Sequence, residues 1–188
     1  MMKLIAQLKI ADYCTLASIS FITTAFYYLF GGDYKLAIGC MLLAILCDFF
    51  DGILARKYGS SRYGELLDAF FDVAGFLLFP ISFYIVYFDV PLIGLAPCVA
   101  IMISGCLRLA RFVKTGFSDT SASHYVGMPV FYIAFLPILA IFGVNSLLLG
   151  SSMLVVAFFM LSEYKFTKPK NPLFGIMLLA AALYFLVS

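Results

Sequence analysis

The chain has 188 residues, of which 64% are hydrophobic and only 12% are charged, and its formal net charge is +2. Soluble domains carry about a quarter charged residues, because a surface in water needs that much polar side chain. This composition excludes a water-soluble globular protein. We expect an all-α, polytopic transmembrane bundle in which residues 1–188 form a single membrane-embedded domain, and we expect no nucleic acid among its partners.

Seven apolar stretches along the chain are long enough, or nearly so, to cross a membrane as helices. They cover roughly residues 13–31, 35–57, 63–88, 91–113, 127–144, 147–163 and 172–187. The last stretch is short, so the expected bundle has six or seven helices. Residues 1–12 contain two lysines but no apolar core, and we expect them to form an interfacial segment on the membrane surface.

The lysines and arginines predict the orientation of the bundle. Of the twelve, only Lys35 lies on one side of a seven-helix arrangement, and the others lie on the opposite side. Loops rich in Lys and Arg stay in the cytoplasm. We therefore expect a cytoplasmic N-terminus in the cell (cytoplasmic) membrane.

Four aspartates lie inside the second and third apolar stretches, namely Asp48, Asp51, Asp68 and Asp72. An aspartate near the middle of a bilayer costs about 2.5–3.5 kcal/mol on insertion scales, so four of them need compensation on the order of 10 kcal/mol. The spacings i,i+3 and i,i+4 put each pair on one helix face. The short connection between the two stretches makes them antiparallel neighbours. All four carboxylates can then meet at one depth, near the cytoplasmic helix ends.

Divalent cations would balance this charge. Oxygen ligands without a nearby His or Cys favour Mg²⁺ or Mn²⁺, and two such ions can clamp phosphate groups. One alternative is a structural network with Arg56 and Arg62, but two arginines cannot neutralise four carboxylates. A cation channel or transporter is a second alternative, although residues 77–87 of the third stretch carry no charge that would continue a path for ions.

The four aspartates belong to a longer pattern over residues 48–72. It reads D-F-F-D-G-I-L-A-R, then seven residues, then G-E-L-L-D-A-F-F-D. All eight fixed positions match D-x2-D-G-x2-A-R-x(7–8)-G-x3-D-x3-D, so the chain resembles the CDP-alcohol phosphotransferase family. Membrane prenyltransferases, another aspartate-rich class, carry two motifs in well-separated segments of a longer chain.

The resemblance implies a role for each matching residue. Asp48, Asp51, Asp68 and Asp72 would ligate two Mg²⁺ or Mn²⁺ ions, and Asp72 would also be the general base. The residues implied in binding the cytidine nucleotide are Asp51, Gly52, Ala55, Arg56, Gly64 and Asp68. The expected partners are a CDP-linked lipid donor, a small polar alcohol as acceptor, membrane lipids and, since the family is commonly dimeric, a second copy of the chain.

Two further segments resemble the phosphatidylserine synthase branch of the family. They are residues 108–112 (RLARF) and residues 125–129 (YVGMP). The resemblance implies that a phosphatidyl-type group moves from CDP-diacylglycerol, or its archaeal ether analogue, to L-serine with release of CMP, in phospholipid biosynthesis. The residues expected to bind the acceptor or the lipid phosphate are Arg108, Arg111 and Lys114.

The segment after Asp72 differs from that branch and bears on the identity of the acceptor. Residues 73–80 read VAGFLLFP, where the serine-specific branch usually has V-V-S-F-G-x-A-P. Inositol phosphate, glycerol phosphate and choline therefore stay open as alternative acceptors. The metal chemistry does not depend on this choice.

Overall fold

The structure is a computed structural model that describes residues 8–59, 61–115, 124–167 and 173–187. The α-helices in these ranges are α1 (Ile10–Phe30), α2 (Tyr34–Tyr58), α3 (Arg62–Phe71), α4 (Phe79–Phe88), α5 (Ala96–Thr115), α6 (Leu136–Ile141), α7 (Ser146–Leu161) and α8 (Leu173–Val187). A π-helical segment, Asp72–Leu78, links α3 to α4. Short 3-10 helices, Leu92–Leu95 and Val130–Phe135, precede α5 and α6.

The predicted helical membrane bundle is confirmed. Four helical stretches are long and apolar enough to cross a membrane, and they are Ile10–Phe30, Tyr34–Tyr58, Leu66–Phe88 and Leu92–Arg111. Three shorter apolar helical stretches follow, and they are Val130–Ile141, Ser146–Leu161 and Gly175–Val187. Each of the seven predicted stretches therefore corresponds to a helical region. The interfacial segment expected over residues 1–12 falls mostly outside the described residues, and α1 already begins at Ile10.

The described residues fall into two compact units. The first unit lies within Met1–Gly75 and Asn171–Ser188, and the second within Phe76–Lys170. In the first unit α1 packs along α2, α8 packs against α2, and α1 also contacts α3. Buried residues of α1 and α2, such as Leu29 and Met41, form its core.

The connection between α2 and α3 is short, and a glycine and a helix cap determine its conformation. Gly59 follows α2 with φ +77°, a left-handed conformation that glycine adopts without steric cost. Ser61 is the N-cap of α3, and its hydroxyl accepts a hydrogen bond from the Gly64 N–H at 3.0 Å. Such a cap satisfies a backbone donor that has no partner within the helix. The connection therefore starts α3 within a few residues of the end of α2.

In the second unit α5 packs against α7, and α4 contacts α6. Large apolar side chains fill its core, among them Phe79, Phe83 and Ile101. Two short strands, β1 (His124–Val126) and β2 (Lys165–Thr167), pair antiparallel with Tyr125 opposite Phe166. The all-α prediction did not include this ribbon, which joins two connecting segments that are far apart in the sequence.

Candidate functional site

Three of the four predicted ligands converge in the first unit. Asp48 lies on α2, Asp68 lies on α3, and Asp72 lies where α3 passes into the π-helical segment. One carboxylate oxygen from each lies within 4.8 Å of the other two, and all three side chains are half-buried. The spacing in the sequence and the short connection after α2 are what bring these groups together.

This triad of carboxylates fits a hard divalent cation. In an octahedral Mg²⁺ site, adjacent ligands are about 3.0 Å apart and opposite ligands about 4.2 Å apart, because each metal–oxygen distance is near 2.1 Å. The three oxygens, within 4.8 Å of one another, therefore lie close to the separations that such a site requires. Without a cation, two unit charges 4 Å apart repel by about 4 kcal/mol at an effective dielectric constant near 20. The donor set and its charge thus both fit a divalent cation at this position.

Asp51, the fourth predicted ligand, lies beside the triad but is not one of the three residues whose carboxylate oxygens lie within 4.8 Å of one another. Its side chain is 8% exposed, and it interacts electrostatically with Asp68. The hydroxyl of Thr15, on α1, donates a hydrogen bond to its Oδ2 at 2.7 Å. The orientation of Asp51 therefore depends on α1 as well as on its own helix.

The residues predicted to bind the nucleotide lie on α2 and at the start of α3. Gly52 and Ala55 are half-buried on α2, whereas Arg56 is exposed. A Cβ placed on Gly52 would lie 3.7 Å from Nη1 of Arg56, so the guanidinium folds back over the glycine. These three residues keep their predicted roles as proposals.

Gly64 has a packing partner that the sequence did not indicate. It is buried, and a Cβ placed on it would collide with Oδ1 of Asp12 on α1. Asp12 is itself 1% exposed and accepts a hydrogen bond from the Ser61 N–H at 3.4 Å. Asp12 and Thr15 were not among the residues predicted from the sequence. Their separation by three residues at the start of an apolar helix was the available signal, since it places both on one helix face.

The arginines predicted to bind the acceptor belong to α5, in the second unit. Arg108 is buried, and Arg111 is exposed with its Nη2 at 3.5 Å from the Leu161 carbonyl oxygen. The side chain of Lys114 lies outside the described residues. The arginines are one helical turn apart, as the sequence predicts, and their role in binding stays a prediction.

Comparisons with known proteins identify the family of the chain. A family model described as CDP-alcohol phosphatidyltransferase matches residues 8–186. The chain is 28% identical to the CDP-diacylglycerol–serine O-phosphatidyltransferase of Bacillus subtilis (strain 168) over 133 residues, 69% of this chain and 73% of that protein. It is 30% identical over 118 residues to the protein of the same name from Helicobacter pylori (strain J99 / ATCC 700824), covering 60% of this chain and 49% of that protein.

A similar match links the chain to an archaeal protein. The chain is 35% identical over 104 residues to the archaetidylserine synthase of Methanothermobacter thermautotrophicus (strain Delta H), covering 53% of this chain and 43% of that protein. The matched regions thus span about half the length of the Helicobacter and Methanothermobacter relatives. The family model spans almost the whole chain and includes the aspartate pattern of α2 and α3. The chain therefore belongs to the CDP-alcohol phosphatidyltransferase family.

Proposed function

We propose that this CDP-alcohol phosphotransferase moves a phosphatidyl-type group from a CDP-linked lipid to L-serine and releases CMP. The observation that carries the proposal is the convergence of the carboxylates of Asp48, Asp68 and Asp72 from two helices. The names of the Bacillus, Helicobacter and Methanothermobacter relatives support serine as the acceptor. Family membership favours an enzyme over a cation channel or transporter.

In the proposed reaction, the serine hydroxyl oxygen attacks the phosphorus that bears the diacylglycerol-type group. A new P–O bond forms to serine, and the P–O bond to CMP breaks. Asp72 takes the proton from the hydroxyl, because an alcohol is a poor nucleophile at neutral pH. CMP leaves with the electron pair of the broken bond.

The remaining residues hold the substrates. Two Mg²⁺ or Mn²⁺ ions, held by Asp48, Asp51, Asp68 and Asp72, would supply positive charge against the diphosphate and the leaving group. On α2, Gly52 and Ala55 leave room for the nucleotide, and Arg56 binds the diphosphate. Asp51, Asp68 and Gly64 complete the group of residues that binds the nucleotide.

The residues that bind the acceptor or the lipid phosphate are Arg108, Arg111 and Lys114. A guanidinium pairs well with a carboxylate or a phosphate because its planar donors match two oxygens at once. Serine carries a carboxylate that choline lacks, so these residues favour serine over choline. The site opens towards the cytoplasm in this proposal, where serine is dissolved, and the protein is a homodimer, as the family resemblance implies.

The experiment that tests this proposal is a transfer assay with the purified chain in lipid nanodiscs. CDP-diacylglycerol and its archaeal ether analogue are each offered with serine, inositol phosphate, glycerol phosphate or choline, and the lipid product is identified by mass spectrometry. We expect a serine-containing lipid, lost after chelation and restored by Mg²⁺ or Mn²⁺. Transfer to another acceptor at a higher rate would replace serine, and full activity after thorough chelation would refute the metal chemistry.

A further inference from the structure

Helix α1 presents two buried polar side chains to the helices that carry the carboxylates. Asp12 is 1% exposed and Thr15 is 3% exposed, and their spacing puts both on the same face of α1. Burying a polar group is unfavourable unless it is hydrogen-bonded. The hydrogen-bond partners of these two side chains therefore indicate the role of the buried face of α1.

Thr15 makes a hydrogen bond that the other hydroxyls of its helix do not make. Ser18, Ser20, Thr23 and Thr24 each donate to the carbonyl four residues earlier in α1, at 2.8–3.1 Å. The corresponding carbonyl of Thr15, at Ala11, is 3.5 Å away, whereas Oδ2 of Asp51 is 2.7 Å away. A hydroxyl has one proton to donate. The shorter distance assigns that proton to the Asp51 carboxylate.

Asp12 makes the second link from α1 to the aspartate-bearing helices. Its Oδ2 accepts from the Lys9 N–H at 2.7 Å, and its Oδ1 accepts from the Ser61 N–H at 3.4 Å. Ser61 is the N-cap of α3, the helix that carries Asp68. One carboxylate thus connects the beginning of α1 to the beginning of α3, one turn from the bond between Thr15 and Asp51.

We propose that Thr15 is a positioning residue that fixes the carboxylate of Asp51 for metal binding, with Asp12 fixing the start of α3. This inference rests on the proposed function, in which Asp51 is a ligand. Among the four aspartates of the pattern over residues 48–72, Asp51 is the one outside the triad. Its carboxylate must therefore be oriented by a group other than the triad. A hydrogen bond to one oxygen restricts the rotation of the carboxylate and leaves its other oxygen to bind. Loss of such an outer partner typically weakens metal affinity about 10- to 100-fold.

The test measures binding of Mn²⁺, in the presence of CDP, to the purified full chain in nanodiscs by electron paramagnetic resonance. Thr15→Val keeps the shape of the side chain but removes the donor, and we expect its Mn²⁺ dissociation constant to rise about tenfold. Thr15→Ser restores the donor and should stay within about twofold of the unmodified chain. Thr23→Val is the matched control, because that hydroxyl is exposed and bonds only within its own helix. Thr23→Val should leave the Mn²⁺ dissociation constant unchanged.

The outcomes separate this inference from the proposed function. If Thr15→Val is folded and binds Mn²⁺ as tightly as the unmodified chain, the positioning role is wrong and the proposed function stands. If the unmodified chain does not bind Mn²⁺ at all, the metal basis of the proposed function fails, and the positioning role fails with it. Thr15→Ala replaces the valine variant if that variant does not fold. In an Asp51→Asn background the same Thr15 change should have no further effect, and a full tenfold effect there would also refute the inference.

Discussion

Asp72 differs from the other aspartates of the site in its backbone setting. It is the first residue of the π-helical segment Asp72–Leu78, where hydrogen bonds run from i to i+5 and the helix widens. Such segments occur often at functional sites, because they shift side chains relative to a regular helix. The residue proposed as the general base is therefore the one at which the helical geometry changes.

Replacing Asp72 by Asn should separate turnover from nucleotide binding. The amide keeps the size of the side chain but cannot accept the proton, and removal of a general base typically costs 10²- to 10⁴-fold. We expect kcat to fall within that range while CDP affinity, measured by isothermal titration, falls by less than about tenfold.

The matched control is Asp89→Asn. Asp89 is exposed and follows α4 with φ +46°, a conformation that Asn tolerates well. This variant should keep the unmodified rate. If Asp72→Asn also keeps it, the proton goes elsewhere and Asp72 is not the base.

Gly64 can be small for either of two reasons, and a double-mutant cycle distinguishes them. The family resemblance implies that Gly64 makes room for the nucleotide, whereas its nearest neighbour in the structure is the carboxylate of Asp12. If packing decides, Gly64→Ala should lower the free energy of unfolding by about 1–3 kcal/mol, because it overpacks a buried contact. Adding Asp12→Ala removes the colliding group, so the double variant should lose less stability than the sum of the single losses.

A different outcome would support the role of Gly64 in nucleotide binding. Additive losses of stability, together with a CDP affinity that stays low in the double variant, would assign Gly64 to the nucleotide. Chemical denaturation followed by tyrosine fluorescence gives the stabilities, since the chain has 12 Tyr and no Trp. The same samples then serve for CDP titration.

At the scale of the helices, much of the fold could be predicted because the apolar stretches and their turn residues specify local structure. The expected limits at residues 57 and 63 lie within one residue of the end of α2 and the start of α3, and the triad follows from the spacing of its aspartates. The ribbon between β1 and β2 could not be predicted, because it pairs residues about 40 positions apart without an alternating pattern. The burial of Asp12 was missed because one charge at the end of an apolar stretch is typical of a helix flank.

The packing of α8 against α2 gives a prediction for these two helices. A Cβ placed on Gly39 of α2 would lie 2.8 Å from the side chain of Leu186, so the helices approach closely at this point. Gly39→Val should displace α8 and cost about 1–3 kcal/mol of stability. Thermal denaturation in detergent should show a lower Tm. The Mn²⁺ affinity of the folded protein should stay unchanged, because Asp48 lies nine residues, about 13 Å, further along α2 than Gly39.

Gly31→Ala provides the comparison for that variant. A Cβ there would make only ordinary contacts of 3.4 Å and 3.5 Å with carbonyl oxygens of its own chain segment. Its Tm should match that of the unmodified protein. An unchanged Tm for Gly39→Val would mean that α8 does not depend on this close approach.

For the whole molecule, the number of membrane crossings determines where the C-terminus lies. The three shorter apolar stretches have 12, 16 and 13 residues, as bounded by Val130–Ile141, Ser146–Leu161 and Gly175–Val187. At 1.5 Å per residue they reach roughly 18–24 Å, less than the ~30 Å of a bilayer core. Seven crossings nevertheless place all lysines and arginines except Lys35 on the N-terminal side, whereas an even number would put the C-terminus on that side too.

We therefore predict that the two ends of the chain lie on opposite sides of the membrane. In a bacterial host, green fluorescent protein should be fluorescent when fused before residue 1 and dark when fused after residue 188. Alkaline phosphatase should be active only in the second position, because it folds outside the cytoplasm. A fluorescent C-terminal fusion would mean that α8 does not cross the bilayer. The bundle would then have six crossings.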